Sequence, residues 1–176
     1  MLSADVKEVL YSVIDGIGRG KIRMEVSADV AASKRYCEEI TEKCVNALGS
    51  QTDDETLGTL CEALLHFMLT ASLLPSDRKV TIDGIEVSVV IPSVKSLAKD
   101  PSKSLVIQVV KDGTVRLVRE AEKVQPIPDN LWAVSARPID TGHRNYALKG
   151  RYPLMISDVR AFLQDKGVSS LKMLHG

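Results

Sequence analysis

The chain has 176 residues, 44% of them apolar and 26% charged, with 23 basic and 23 acidic side chains. That is the balance of a globular protein with a sizeable core, and it excludes a strongly basic, non-specific nucleic-acid binder. No apolar run reaches the roughly 18 residues of a membrane span, and MLSADVKEVL lacks the pattern of a secretory leader. A cytoplasmic, reducing setting is therefore expected. In it Cys37, Cys44 and Cys61 read as buried thiols, while His66, His143 and His175 stand too far apart to suggest zinc.

The first half reads as helices. Ser3 is suited to cap a helix whose apolar face is Val6, Val9, Leu10, Val13, Ile14 and Ile17, with Gly16, Gly18 and Gly20 as its stop and turn. Ser27 opens a second helix, apolar at Val30, Cys37, Ile40, Cys44, Val45 and Leu48 and ended by Gly49. Thr52 with Glu55 forms a capping box for a third, which runs through Leu57, Leu60, Leu64, Leu65, Met68, Leu69 and Leu73. This one is apolar on more than one side and belongs at the centre of the fold. Glu62 sits within it, either at the polar margin of the helix or aimed into a site.

Strands dominate the second half. Lys79–Ile82 and Ile85–Ile91 flank Asp83-Gly84, a two-residue hairpin signal. After Pro92 and a polar loop over 93–103, Ser104–Lys111 is almost continuously apolar, the mark of a strand buried on both faces. A helix around Val115–Val124, a strand over Leu131–Ala136, a helix from Ser157 to Gly167 and a short strand over Val168–Leu174 complete the order. A helix joining two strands favours a parallel crossover. The expectation is an α/β fold with a mixed central sheet flanked by helices, residues 51–176, preceded by an N-terminal helical extension, residues 1–50. Charge divides similarly. Residues 1–78 hold 8 basic and 13 acidic side chains, while residues 79–176 hold 15 basic and 10 acidic.

The helix–hairpin–buried strand–helix–strand order resembles the PD-(D/E)XK nuclease-like, or restriction-endonuclease-like, superfamily. Three stretches carry the resemblance: Leu60-Cys-Glu62, Ile85-Glu-Val-Ser-Val-Val-Ile91 and Leu105-Val-Ile-Gln-Val-Val-Lys111. It implies a phosphodiesterase scaffold, in which carboxylates on adjacent strands hold Mg or Mn beside a lysine. Glu62 matches the helix acid. The second-strand acid falls at Ser88, with Glu86 two residues earlier on the same face. The third-strand acid falls at Gln108, and the lysine position at Val110. Lys111 is one residue late and faces the other side unless a bulge re-aims it. Glu62, Glu86, Gln108 and Lys111 are thus the candidate catalytic set. The departures imply a degraded or lost metal site, and a rearranged active set is the other outcome; Mg or Mn enters only with the latter.

The donor-rich segment 141–151 supplies a second candidate. His143, Arg144, Lys149 and Arg151 suit phosphate oxygens of DNA or RNA, Tyr146 or Tyr152 suits base stacking, and Arg116, Arg119 and Arg160 extend the basic surface. Trp132 reads as core. The alternative to a nucleic-acid protein is a non-catalytic, homodimerising one. In that reading the N-terminal helices, lying outside a complete α/β core, bury their apolar faces on a second copy or fold over the sheet of the same chain.

Overall fold

Four helices come first: α1 (Ser3–Ile17), α2 (Arg19–Ala28), α3 (Ala32–Leu48) and α4 (Asp54–Ala71). The computed structural model describes residues 3–167, so the strand expected over Val168–Leu174 lies outside the described residues. The stop after α1 is Gly18, whose φ of 119° suits glycine alone. The helix then resumes at once, instead of waiting for Ser27. Gly20 lies inside α2, and Ser27 sits in its last turn, donating its hydroxyl to Met24 O. The buried residues of α2 are Ile22 and Val26, too short a stripe to show as helical periodicity. At α4 the cap is Asp53, whose carboxylate accepts the Thr56 N–H at 2.8 Å; the Thr52 hydroxyl donates to Gly49 O instead.

Val6, Leu10 and Ile14 of α1 and Tyr36, Ile40 and Cys44 of α3 are buried in the same cluster as α4 and one face of the sheet. Of the two places the sequence left open for these apolar faces, a second copy or the same chain, the structure shows them packed within the chain, against α4 and the sheet.

The sheet has five strands in chain order: β1 (Asp77–Ile82), β2 (Ile85–Ile91), β3 (Leu105–Val110), β4 (Leu131–Ser135) and β5 (Arg144–Ala147). β1, β2 and β3 are antiparallel, while β4 and β5 run parallel to β3, giving a mixed sheet. Asp83 and Gly84 turn the hairpin with φ of 50° and 79°. β3 is buried along its whole length. α6 (Arg116–Ala121) lies on the crossover to β4, and α5 (Val94–Lys99), capped by Ser93, occupies what the sequence presents as a polar loop. β5 also falls in an expected loop: its burial is confined to Tyr146 and Ala147, and it is reached through residues 136–143 without a helix. α7 (Met155–Asp165) starts ahead of Ser157, without a side-chain cap. Helices α1–α4 and α7 cover Val89, Ile107, Val109 and Trp132 on one face; α5 and α6 cover Val90, Val106, Val110 and Leu131 on the other.

Candidate functional site

The site begins where β2 and β3 part. They pair only at Val89–Ile107, Val90–Val106 and Ile91–Leu105. Beyond that point side chains replace the backbone ladder. Gln108, 1% exposed, accepts the Ser88 N–H on Oε1 at 2.9 Å and donates from Nε2 to Glu86 O at 2.9 Å. Ser88 Oγ accepts the Val109 N–H at 3.0 Å. The amide of Gln108 thus stands in for a peptide group, satisfying backbone atoms that the divergence would leave bare.

The hairpin twists at the same place. Residues two apart in a strand share a face, yet Val87 packs in the core under α6 and Val89 in the core under α4. The two-residue turn puts Lys79 across from Ser88, between the pairs Arg78–Val89 and Val80–Val87. Lys79 has φ 52°, so the backbone turns over at this rung.

From the other side α4 presents Glu62, with 12% of its side chain exposed. Its Oε1 lies 3.2 Å from Lys111 Nζ and 3.6 Å from Lys79 Nζ. Gly58, one turn earlier, makes this approach possible: a Cβ there would stand 3.0 Å from Lys111 Cγ and 3.2 Å from its Cα. Lys111 needs no bulge to arrive. β3 keeps unbroken register with β4 through Val110, and alternation carries Lys111 to the α4 side, where Glu62 is. One turn further along α4, His66 has a buried Nε2 without a partner, and burial pulls its pKa down to about 4.

Glu62, Glu86, Ser88, Gln108 and Lys111 therefore line one cavity of about 400 Å³, with Lys79, Thr81 and Asp112. Lys79 and Thr81 escaped the sequence reading, although the Asp83-Gly84 register would have put Lys79 opposite Ser88. Further cavities follow along the carboxyl ends of β3 and β4. Lys111 also lines one of about 220 Å³ with Ser135 and Arg137. Arg137, paired with Asp54 at 3.0 Å, lines another of about 490 Å³ with Asn46 and Lys149. Among the described residues, no group of three or more His, Cys, Asp or Glu is placed to hold a metal ion. Cys37, Cys44 and Cys61 are free and buried, and burial pushes their thiols up to about 12, 11 and 12.

The segment 141–151 does not present a single basic patch, because β5 divides it. His143 and Arg144 lie at the amino end of β5, and Lys149 and Arg151 follow its carboxyl end. The His143 ring is held by Pro128 O at 2.9 Å and faces Glu122 at 3.8 Å. The Arg144 guanidinium lies over Trp132, 4.6 Å from the ring centroid, and donates to the Tyr146 hydroxyl, which donates to Asp158. Neither tyrosine offers a face to a base: Tyr146 and Tyr152 are buried, the latter donating to Cys61 O at 2.7 Å. Arg116 and Arg119 pair with Glu120 and Glu122. Trp132 is core, packed on Tyr146 and Phe162.

An open α/β sheet with a cavity at the carboxyl ends of its strands is an architecture that holds ligands there. Its fold is restriction-endonuclease-like. The structure is similar to that of the restriction endonuclease PspGI, solved as a complex with its substrate DNA: TM-score 0.58, 17% identity, covering 93% of this chain and 86% of that one. No protein-family model matches the chain, and no curated protein does. No helix among the described residues is long and apolar enough to cross a membrane.

Proposed function

We propose that this is a cytoplasmic DNA-binding protein on a nuclease scaffold whose metal-dependent phosphodiesterase site has been lost. The observation that carries the reading is the use made of Gln108 and Ser88. They occupy the positions where the resemblance puts acids, and both are engaged in holding β2 to β3. A divalent metal needs carboxylate oxygens free to coordinate; an amide oxygen already bonded to Ser88 N–H and a hydroxyl already bonded to Val109 N–H are poor substitutes. Glu62 has two ammonium partners, and Glu86 remains alone on the exposed side of the hairpin. The residues present do not fit Mg or Mn.

Binding without cleavage is supported by the surface that remains. Lys111, Arg137 and Lys149 follow one another along adjoining cavities at the strand ends, and a row of cations is what a phosphodiester backbone meets. The PspGI structure holds DNA, and DNA is the ligand proposed here. The three unpaired thiols agree with a reducing compartment.

The test is a salt series with labelled DNA and RNA duplexes, together with cleavage assays in Mg and Mn. The expected result is DNA affinity that falls steeply with salt and no cleavage in either metal. Metal-dependent cleavage that disappears in Glu62→Ala would overturn the lost-site reading. Absence of DNA binding at low salt would overturn the binding reading, and preference for RNA would redirect it. Light scattering on the whole chain decides whether the bound species is a homodimer.

A further inference from the structure

Lys79 answers to no position in the resemblance, yet the fold goes to some length to place it. Its left-handed backbone, φ 52°, is one that a residue with a Cβ keeps only when its surroundings impose it. The result is that two ammonium groups, from β1 and from the end of β3, converge on a single oxygen of the largely buried Glu62.

The geometry points to a metal-independent phosphate anchor, in which Lys79 and Lys111 supply at Glu62 the positive charge that a divalent cation supplies in a nuclease, and present it to a phosphate oxyanion of the DNA backbone. This rests on the DNA-binding reading above and names the contact within it. Each ammonium has three N–H donors; Lys111 spends one on Glu62 and keeps two for a ligand, while Lys79, ion-paired at 3.6 Å, keeps all three. Ser88 Oγ accepts from Val109 and keeps its own proton to donate, and Thr81 lines the same wall. Two cations against one carboxylate leave the triad positive. Of the other acids lining the cavity, Asp112 is turned to the Thr114 amide and hydroxyl and Glu86 is exposed; both keep a negative charge that opposes an anion. The same triad disfavours a metal ion, because a third cation at Glu62 would be repelled by the two ammonium groups already there.

Two measurements test this on the full chain. Binding of a labelled DNA duplex is followed by anisotropy in EDTA and in Mg, for the wild type and for Lys79→Gly, Lys111→Ala and Glu86→Gln. Glycine at 79 accepts the left-handed backbone while removing the ammonium, and circular dichroism with a thermal melt confirms that each variant is folded. Mn alone is followed by electron paramagnetic resonance. The expected outcome is wild-type affinity that is the same with and without EDTA. Lys79→Gly and Lys111→Ala should each weaken binding about ten-fold and reduce the salt slope by about one. Glu86→Gln should tighten it, and the free Mn signal should be unchanged by the protein. Binding that needs a metal, Mn taken up by the wild type and released in Glu62→Gln, or Lys79→Gly binding like the wild type would each overturn the anchor while leaving DNA binding intact. A wild type that binds no DNA at low salt overturns the functional reading, and the anchor with it.

Discussion

The two sides of β3 are built by different rules. Towards β4 the strand pairs along Val106–Val110 by backbone alone, in unbroken register. Towards β2 it pairs only from Leu105 to Ile107, and then Gln108 and Ser88 continue the contact with their side chains. The first side closes over Trp132, Tyr146 and Phe162; the second opens into the cavity. One strand thus separates a side where the backbone ladder runs unbroken and cavities lie only beyond its end from a side where polar side chains both hold the fold and border a ligand-sized space. A site on this scaffold lies where the backbone ladder stops.

The largest effect that separates the two sides should come from Trp132→Ala. The ring is buried, with Nε1 donating to Asp129 O at 3.1 Å, and truncating a buried tryptophan costs about 3–5 kcal/mol. Chemical denaturation should show a loss of that size. DNA affinity of the folded fraction should stay at the wild-type level, since Trp132 does not line the cavity. A fall in affinity matching the fall in stability would mean that the two sides of β3 are not separate.

Next comes Gln108→Leu, which keeps much of the volume and removes both stitches. The Ser88 N–H and Glu86 C=O lose their partners, and unpaired groups of this kind cost about 1–3 kcal/mol. We expect a loss of about 2 kcal/mol in denaturant melts, with protection from hydrogen exchange falling at Ser88 and Val109 while the β3–β4 amides keep theirs. Equal loss of protection on both sides would place the weakness in the sheet as a whole.

How far the sequence discloses this depends on the range over which each feature is encoded. The hairpin, the buried strand and α4 are written in short windows: two turn residues, an apolar run broken only at Gln108, a helical apolar stripe. The gathering of Glu62, Glu86 and Gln108 follows from the resemblance and from element order; Lys111, on the opposite face of β3 from Gln108, reaches the same cavity from the α4 side, which the resemblance does not predict. What each does there was not legible. Whether Gln108 aims at a ligand or at the next strand depends on how far β2 and β3 diverge, a property of the sheet and not of any segment. Gly58 gave no signal, since its value lies in a contact with residue 111. Lys79 looked like an ordinary strand lysine. β5 and α2 were missed for a simpler reason: both are short and bury only two residues each, below what periodicity can register.

The smallest effect is also the most specific to the divergent side. Ser88→Ala removes the acceptor for the Val109 N–H and nothing else in the protein's bonding, so about 1 kcal/mol should be lost. Combined with Gln108→Leu, the loss should be less than additive. Once the Gln108 amide is gone, β2 is free to draw away and water can reach the Val109 N–H, so that Ser88 has less left to contribute. A double-mutant cycle in urea measures this directly. Strict additivity would mean that the two stitches act independently and that β2 is held in place by its pairing at 89–91 alone; the cavity wall would then be a rigid consequence of the hairpin, and not of the side chains that bridge the gap.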